Sequence, residues 1–151
     1  MNRIYCILFL LISFESKSFC FEEAGYRYNI ESDLIKAIAI VESGLDEKAV
    51  NRNIDKNGKV LSVDHGLMQI NSWWFRRLKE FNVNEKTIYD PCFNVMIGAY
   101  ILSSNFSTNG MNWESVGAYN AGFKKLNEKS RLIYINKVKV KYYKIKSKTL
   151  Q

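Results

Sequence analysis

The 151-residue sequence predicts an α+β domain that is predominantly α-helical, and three observations carry that expectation. Apolar residues recur at helical spacing in segments bounded by capping residues, most plainly Leu34 to Val41 before Ser43-Gly44, and Val95, Met96, Ala99 and Leu102 after Asp90-Pro91. Between them, residues 51–71 break the helical period with turn and alternation signals, so a small β excursion interrupts an otherwise helical chain. No internal repeat or low-complexity linker divides the sequence. About 130 residues behind a leader suffice for one domain with one core.

Residues 1–18 read as a secretory signal peptide. Met1-Asn2-Arg3 gives a basic start, Ile4 to Ile12 an apolar core too short to span a bilayer, and Ser16-Lys17-Ser18 a small, polar end. Cys20 follows, but Lys17 and Phe19 stand where a lipid-attachment signal wants aliphatic and small residues, so a soluble mature chain over 19–151 is expected. Its balance is 20 basic against 14 acidic groups. Cys6 falls in the leader, which leaves Cys20 and Cys92. An even pair in an exported chain argues for one disulfide, the alternative being two buried thiols. Closing that loop would contribute roughly 4 kcal/mol in the chain-entropy account.

Element by element, Phe21 to Tyr28 forms a short first helix, and Ser32 is placed to cap the run that Gly44 ends. Asp55-Lys56-Asn57-Gly58 is a turn between two short segments that pair as a hairpin. Ser72 caps a helix carrying Trp73, Trp74, Phe75 and Leu78. Asp90-Pro91 starts the next, because proline suits the first helical turn. Trp113 to Tyr119 gives a further short helix, and Arg131 to about Lys144 the last.

The chemistry centres on Glu42, the one carboxylate delivered by the apolar run, at the point where it stops. An ordinary glutamate is protonated in only about one molecule in 500 at neutral pH, whereas desolvation that raises its pKa by about 2 units makes it a usable acid. The alternative is a solvated carboxylate in the last turn of an amphipathic helix. Gln69 and Asn71 alternate with Met68 and Ile70, so a strand here would present two amides on one face. Amides both donate and accept, which suits sugar hydroxyls and acetamido groups. Tyr119-Asn120 adds an aromatic ring and another amide at a helix end. His65 is the only histidine and no metal-ligand spacing occurs, so no metal and no cofactor are expected.

Glu42-Ser43-Gly44, Gly66-Leu67-Met68-Gln69-Ile70-Asn71 and Ala118-Tyr119-Asn120-Ala121-Gly122, in this order, resemble the three signature motifs of the soluble lytic transglycosylases. The likeness runs from about Phe21 to Val138. It is greatest to the small exported members that accompany type III and type IV secretion and conjugation systems, which share an early cysteine and an Asp-Pro-Cys like Asp90-Pro91-Cys92. The resemblance implies a lysozyme-like fold and cleavage of the β-1,4 bond between N-acetylmuramic acid and N-acetylglucosamine in peptidoglycan. Glu42 would protonate the glycosidic oxygen, then act as base toward the muramyl 6-hydroxyl, leaving a 1,6-anhydro end. Ser43, Met68, Gln69, Tyr119 and Asn120 carry over as substrate-binding residues, and Asn71 joins them from the amide pattern. Tyr134, within Tyr134-Ile135-Asn136-Lys137-Val138, matches a family tyrosine of the final helix. The resemblance implies a periplasmic location, glycan strands as substrate, a secretion or conjugation component as partner, and a monomer.

Asp64 leaves the mechanism open. The stretch Asp64 to Ser72 also resembles the strand of animal-type lysozymes that bears their second carboxylate, where many lytic transglycosylases lack an acid. Asp64 is a second catalytic carboxylate, an electrostatic stabiliser or a turn residue. The first of these makes the protein a hydrolytic muramidase. A wall-binding module without turnover is the non-enzymatic alternative. Residues 124–151 hold ten basic residues against Glu128 alone. They form a solvated charged face or attract an anionic wall or an acidic machine component. Nucleic acid is a poor partner for an exported chain.

Overall fold

A computed structural model of the chain describes residues 19–149; the predicted leader and the last two residues lie outside the described residues. The chain runs α1 (Phe21–Tyr28), α2 (Ser32–Ser43), β1 (Val50–Ile54), β2 (Val60–His65), β3 (Ile70–Asn71), α3 (Trp73–Arg77), α4 (Pro91–Asn109), α5 (Trp113–Ala121) and α6 (Glu128–Thr149). This is the expected helical domain with one small sheet. No described helix is long and apolar enough to cross a membrane.

The helix ends follow local chemistry. Asp90 accepts a hydrogen bond from the Phe93 amide with Pro91 just inside α4, and Asn112 accepts from the Ser115 amide to open α5. Gly44 takes a positive φ of 67° and returns its N–H to the Ile40 carbonyl, which stops α2 at Ser43. Two caps differ from expectation. Ser32 is the first residue of α2 with Glu31 before it, and neither makes a side-chain cap. Ser72 spends its Oγ accepting from the Val63 amide, bracing the sheet instead of capping α3. The last helix is also longer than its periodicity predicts, because α6 packs along both α2 and α5 and is supported beyond its own pattern.

α4 is apolar on most of its circumference and occupies the centre, with Val95, Ala99 and Leu102 fully buried against Ile35 and Ile38 of α2 and Val116 of α5 in one core. Cys20 and Cys92 form a disulfide that joins the start of α1 to the start of α4 across a sequence separation of 72.

The sheet is antiparallel in the order β1-β2-β3. Its register sets Asn51 opposite Asp64, Asn53 opposite Ser62, and Asp64 opposite Asn71. Side chains of directly opposed residues share a face. One face of this small sheet is therefore polar throughout.

The expected strand through Met68 and Gln69 does not form. Residues 66–69 are a turn, opened by Gly66 at φ 71° and closed by Gln69 at φ 48°. A side chain at Gly66 would collide with the buried amide of Asn94, so only glycine fits there. Asn94 stitches this turn to α4: its Oδ1 accepts from the Met68 amide, and its Nδ2 donates to the His65 and Ile88 carbonyls.

Candidate active site

The end of α2, the polar face of the sheet and the end of α5 enclose a cleft of about 360 Å³ lined by Glu42, Asp64, Gln69, Asn71, Tyr119 and Asn120, among others. Six residues singled out in the sequence thus meet at one cavity, although Glu42 and Asn120 lie in different helices. Asn53, Ser62, Trp74, Ile70 and Ile101 complete the lining.

Glu42 is partly buried, and the buried Tyr134 of α6 donates its hydroxyl to Glu42 Oε1 at 2.5 Å. Its pKa is raised to about 7, first by burial, with the Asp64 charge adding to the rise. The Tyr134 hydrogen bond and the Lys137 ammonium oppose it. A carboxyl group with that pKa is about half protonated at neutral pH and can both give and take a proton there. Burial and the nearby carboxylate hold the Tyr134 phenol well above its ordinary range, so it remains a neutral donor.

Asp64 stands in β2, not in a turn. Its Oδ2 accepts from Asn51 Nδ2 at 3.1 Å and Asn53 Nδ2 at 2.9 Å, and its Oδ1 accepts from Asn71 Nδ2 at 2.6 Å. Asn53 and Asn71 also reach Ser62 Oγ, at 3.1 and 2.9 Å. Three amides thus fix one carboxylate by hydrogen bonds to both of its oxygens. Of the three sequence readings, the turn residue is removed by this geometry.

The remaining predicted residues divide into liners and braces. Tyr119 lines the cleft and donates to the Met68 carbonyl at 2.9 Å, its ionisation suppressed chiefly by burial. Gln69 lines it while Nε2 donates to the carbonyls of Gly66 and Ala49, at 3.0 and 3.3 Å. Met68 is fully buried, and its side chain abuts Gly98 of α4 so closely that a Cβ there would sit 2.7 Å from the methyl carbon. Met68 therefore supports the floor from beneath and presents no side chain to the cleft. Ser43 is likewise absent from the lining: its Oγ donates to the Leu67 carbonyl at 2.8 Å, tying the helix of Glu42 to the turn that carries Gln69.

Several contributors escaped the sequence reading. Asn51 and Asn53 alternate as strand residues do, and that was their signal, but their pairing with Asp64 needs the hairpin register. Asn94 had none, since its bonds reach 26 and 29 residues back along the chain. Arg131 is buried and donates to Glu114 Oε1 at 2.5 Å and to the Gly122 and Lys124 carbonyls, which holds the loop after Asn120. Among the described residues the one group with metal-ligand proximity is Cys20, Glu23 and Cys92, whose two sulfurs are already spent in the disulfide. His65 is buried off the cleft, its Nδ1 2.7 Å from the Tyr89 hydroxyl, and burial lowers its pKa.

Comparison with known proteins bears on this arrangement. The model of the transglycosylase SLT domain family matches residues 19–140. A "peptidoglycan-binding-like protein" of Escherichia coli O157:H7 is 44% identical over 142 residues, spanning 92% of this chain and 84% of that protein. The "protein IpgF" of Shigella flexneri is 39% identical, with 100% of this chain and 97% of that protein covered. The "invasion protein IagB" of Salmonella typhi is 39% identical, at 97% and 89% coverage. Among solved structures, an inactive mutant of the lytic transglycosylase Slt from Pseudomonas aeruginosa superposes with a TM-score of 0.64 at 21% identity. It covers 89% of this chain, which spans only 24% of that larger protein, and this likeness carries the lysozyme-like fold. With the family model matched from the first described residue into α6, the chain belongs to the transglycosylase SLT domain family.

Proposed function

We propose that the protein is a peptidoglycan lytic transglycosylase that cleaves the β-1,4 bond between N-acetylmuramic acid and N-acetylglucosamine and leaves a 1,6-anhydro end. The observation that carries this reading is the Glu42 carboxyl, with a pKa raised to about 7, in a cleft otherwise lined largely by amides and hydroxyls. The protonated acid donates to the glycosidic oxygen as the bond to C1 breaks, and the leaving sugar departs with that proton. The carboxylate so formed takes the proton of the muramyl 6-hydroxyl while that oxygen bonds to C1. Glu42 ends protonated and no water is consumed. The neutral Tyr134 hydroxyl stabilises the intervening carboxylate, and the fixed Asp64 charge stabilises the oxocarbenium-like carbon.

Asp64 in the same cleft favours one second reading, a muramidase in which water attacks C1. The amide clamp speaks for the electrostatic role, because two of the carboxylate's lone-pair sites on Oδ2 and one on Oδ1 are already engaged. The expected leader and the family's substrate support action on the wall after export to the periplasm, where opening the mesh would let a secretion or conjugation apparatus pass. The test is digestion of purified sacculi with the mature chain, followed by mass analysis. Anhydro-muropeptides, lighter by one water, are expected, and Glu42→Gln abolishes them. Exclusively reducing muramic ends would establish the muramidase instead, and tight wall binding without any release the recruitment module.

A further inference from the structure

Three cavities follow one another along the seam between α2 and α6, and the first opens beside the candidate acid. A cavity of about 250 Å³ is bounded by Glu42, Asn120, Tyr134 and Lys137. A second, of about 460 Å³, continues from Lys137 over Ile40 and Val140 to Lys141. A third, of about 390 Å³, runs from Lys141 past Lys36 and Ile145 to Lys144 and Lys148. Shared walls at Lys137 and Lys141 make one continuous groove. Among the described residues no acid besides Glu42 lines it.

The lysines repeat at positions 137, 141, 144 and 148, a helical stripe that spans about 16 Å at the rise of an α-helix. Like charges at this spacing repel and destabilise a helix. Three basic groups on other faces of α6 are relieved of that repulsion: Arg131 pairs with Glu114, Lys146 with Glu31 and Asp33, and Lys139 lies over the Trp113 ring. Among the described residues, Lys36, Lys137, Lys141, Lys144 and Lys148 make no such pair with an acid. Five such lysines thus line the groove that leads from the cleft, over a floor of Ile40, Val140 and Ile145.

We infer that this groove is a subsite for the peptide stem of the glycan strand, its lysines receiving stem carboxylates and its apolar floor the alanine methyl groups. The inference rests on the peptidoglycan reading of the cleft and extends it. The stem is attached through the lactyl group of the muramic ring, the sugar whose C1 reacts, so it leaves the cleft close to Glu42. Peptide stems carry several free carboxylates and small apolar side chains, which matches a cationic groove with an apolar floor. A membrane surface would be met by a convex face and has no reason to begin at the acid.

The test is binding, measured apart from turnover. In a Glu42→Gln background, pull-down on bead-bound glycan strands compares strands with intact stems and strands stripped of stems by an amidase. Lys141→Gln/Lys144→Gln/Lys148→Gln is added to the same chain, leaving Lys137 and the cleft untouched. The groove lysines intact, stem-bearing strands are expected to bind about tenfold more tightly than stripped ones, the scale of a few exposed ion pairs. The triple substitution abolishes that preference, moderate salt does the same, and binding to stripped strands stays unchanged with the melting curve preserved. Equal loss on both kinds of strand, or no loss on either, overturns the subsite. So does a triple variant that keeps its stem preference but no longer binds vesicles of anionic phospholipid, which assigns the lysines to a membrane. A parent enzyme that releases no anhydro-muropeptides sinks the catalytic reading while the binding comparison still decides the groove.

Discussion

Glu42 and Asp64 face one cleft, yet the chain gives them opposite surroundings. Glu42 comes at the end of an apolar helix with the Tyr134 phenol as hydrogen-bond partner, and burial outweighs that hydrogen bond, so its pKa rises to about 7. Asp64 comes from a polar sheet face where three asparagine amides reach its two oxygens. Two carboxyl groups in one cleft thus differ in what their surroundings do: burial raises the pKa of Glu42, and three amides hold Asp64 in place. The two are also coupled, since the charge on Asp64 helps keep the proton on Glu42.

The largest effect that can break this comparison is Glu42→Gln. Release of muropeptides should fall at least about a thousandfold, within the upper range for losing an acid that also serves as base. The fold should survive, because glutamine can still accept from Tyr134. Asp64→Asn comes next. It keeps the shape but places an amide among amides, and the rate should drop about 10- to 100-fold as stabilisation of the developing cation is lost. Removing the Asp64 charge also lowers the Glu42 pKa, so the alkaline limb of the pH–rate profile should move to lower pH. An unmoved limb with full activity would leave Asp64 with no part in the chemistry.

The raised pKa has a thermodynamic counterpart. A carboxyl that titrates near 7 when folded and near 4.5 when unfolded binds more protons in the native state between those values. Its contribution is fully present below about pH 4.5 and is lost as pH rises through about 7, a swing on the order of 3 kcal/mol. Chemical denaturation should therefore show Glu42→Gln nearly equal in stability to the parent at pH 4 and more stable at pH 8. A parent and variant that track each other across this range would mean that Glu42 titrates as an ordinary surface acid.

How far the site was legible in the sequence depends on how local its causes are. Glu42 at the end of α2 was readable because the apolar run, Ser43 and Gly44 lie side by side, and a glycine with positive φ ends the helix whatever the rest does. Family resemblance and the alternation with Asn71 both point to Gln69, but the strand starts only at Ile70: Gly66 and Asn94 impose a turn, and Gln69 reaches the cavity from left-handed backbone. Met68 stands inside a motif that points to the cleft, whereas packing against Gly98 puts its side chain beneath the floor. The amide clamp on Asp64 was out of reach, because Asn51 and Asn53 gain their meaning from pairing across a hairpin. Tyr134 touches Glu42 across 92 residues, and only family resemblance pointed to it.

That long-range contact provides the smallest and most discriminating test. The Tyr134 hydroxyl lowers the Glu42 pKa by bonding to its charged form, while Asp64 raises it, so the two neighbours pull in opposite directions. Tyr134→Phe removes the hydroxyl and keeps the ring in its buried site. Glu42 then holds its proton to higher pH, and the alkaline limb of the pH–rate profile should move up, opposite to the movement expected for Asp64→Asn. The maximal rate should fall about tenfold, because the carboxylate formed after proton donation loses a charge-assisted hydrogen bond of about 1.5 kcal/mol. Opposed shifts from two variants, one on the sheet and one on α6, would locate the proton that moves on Glu42 itself. Shifts in the same direction would mean that the limb reports another group, and Glu42 would lose its claim to be the acid.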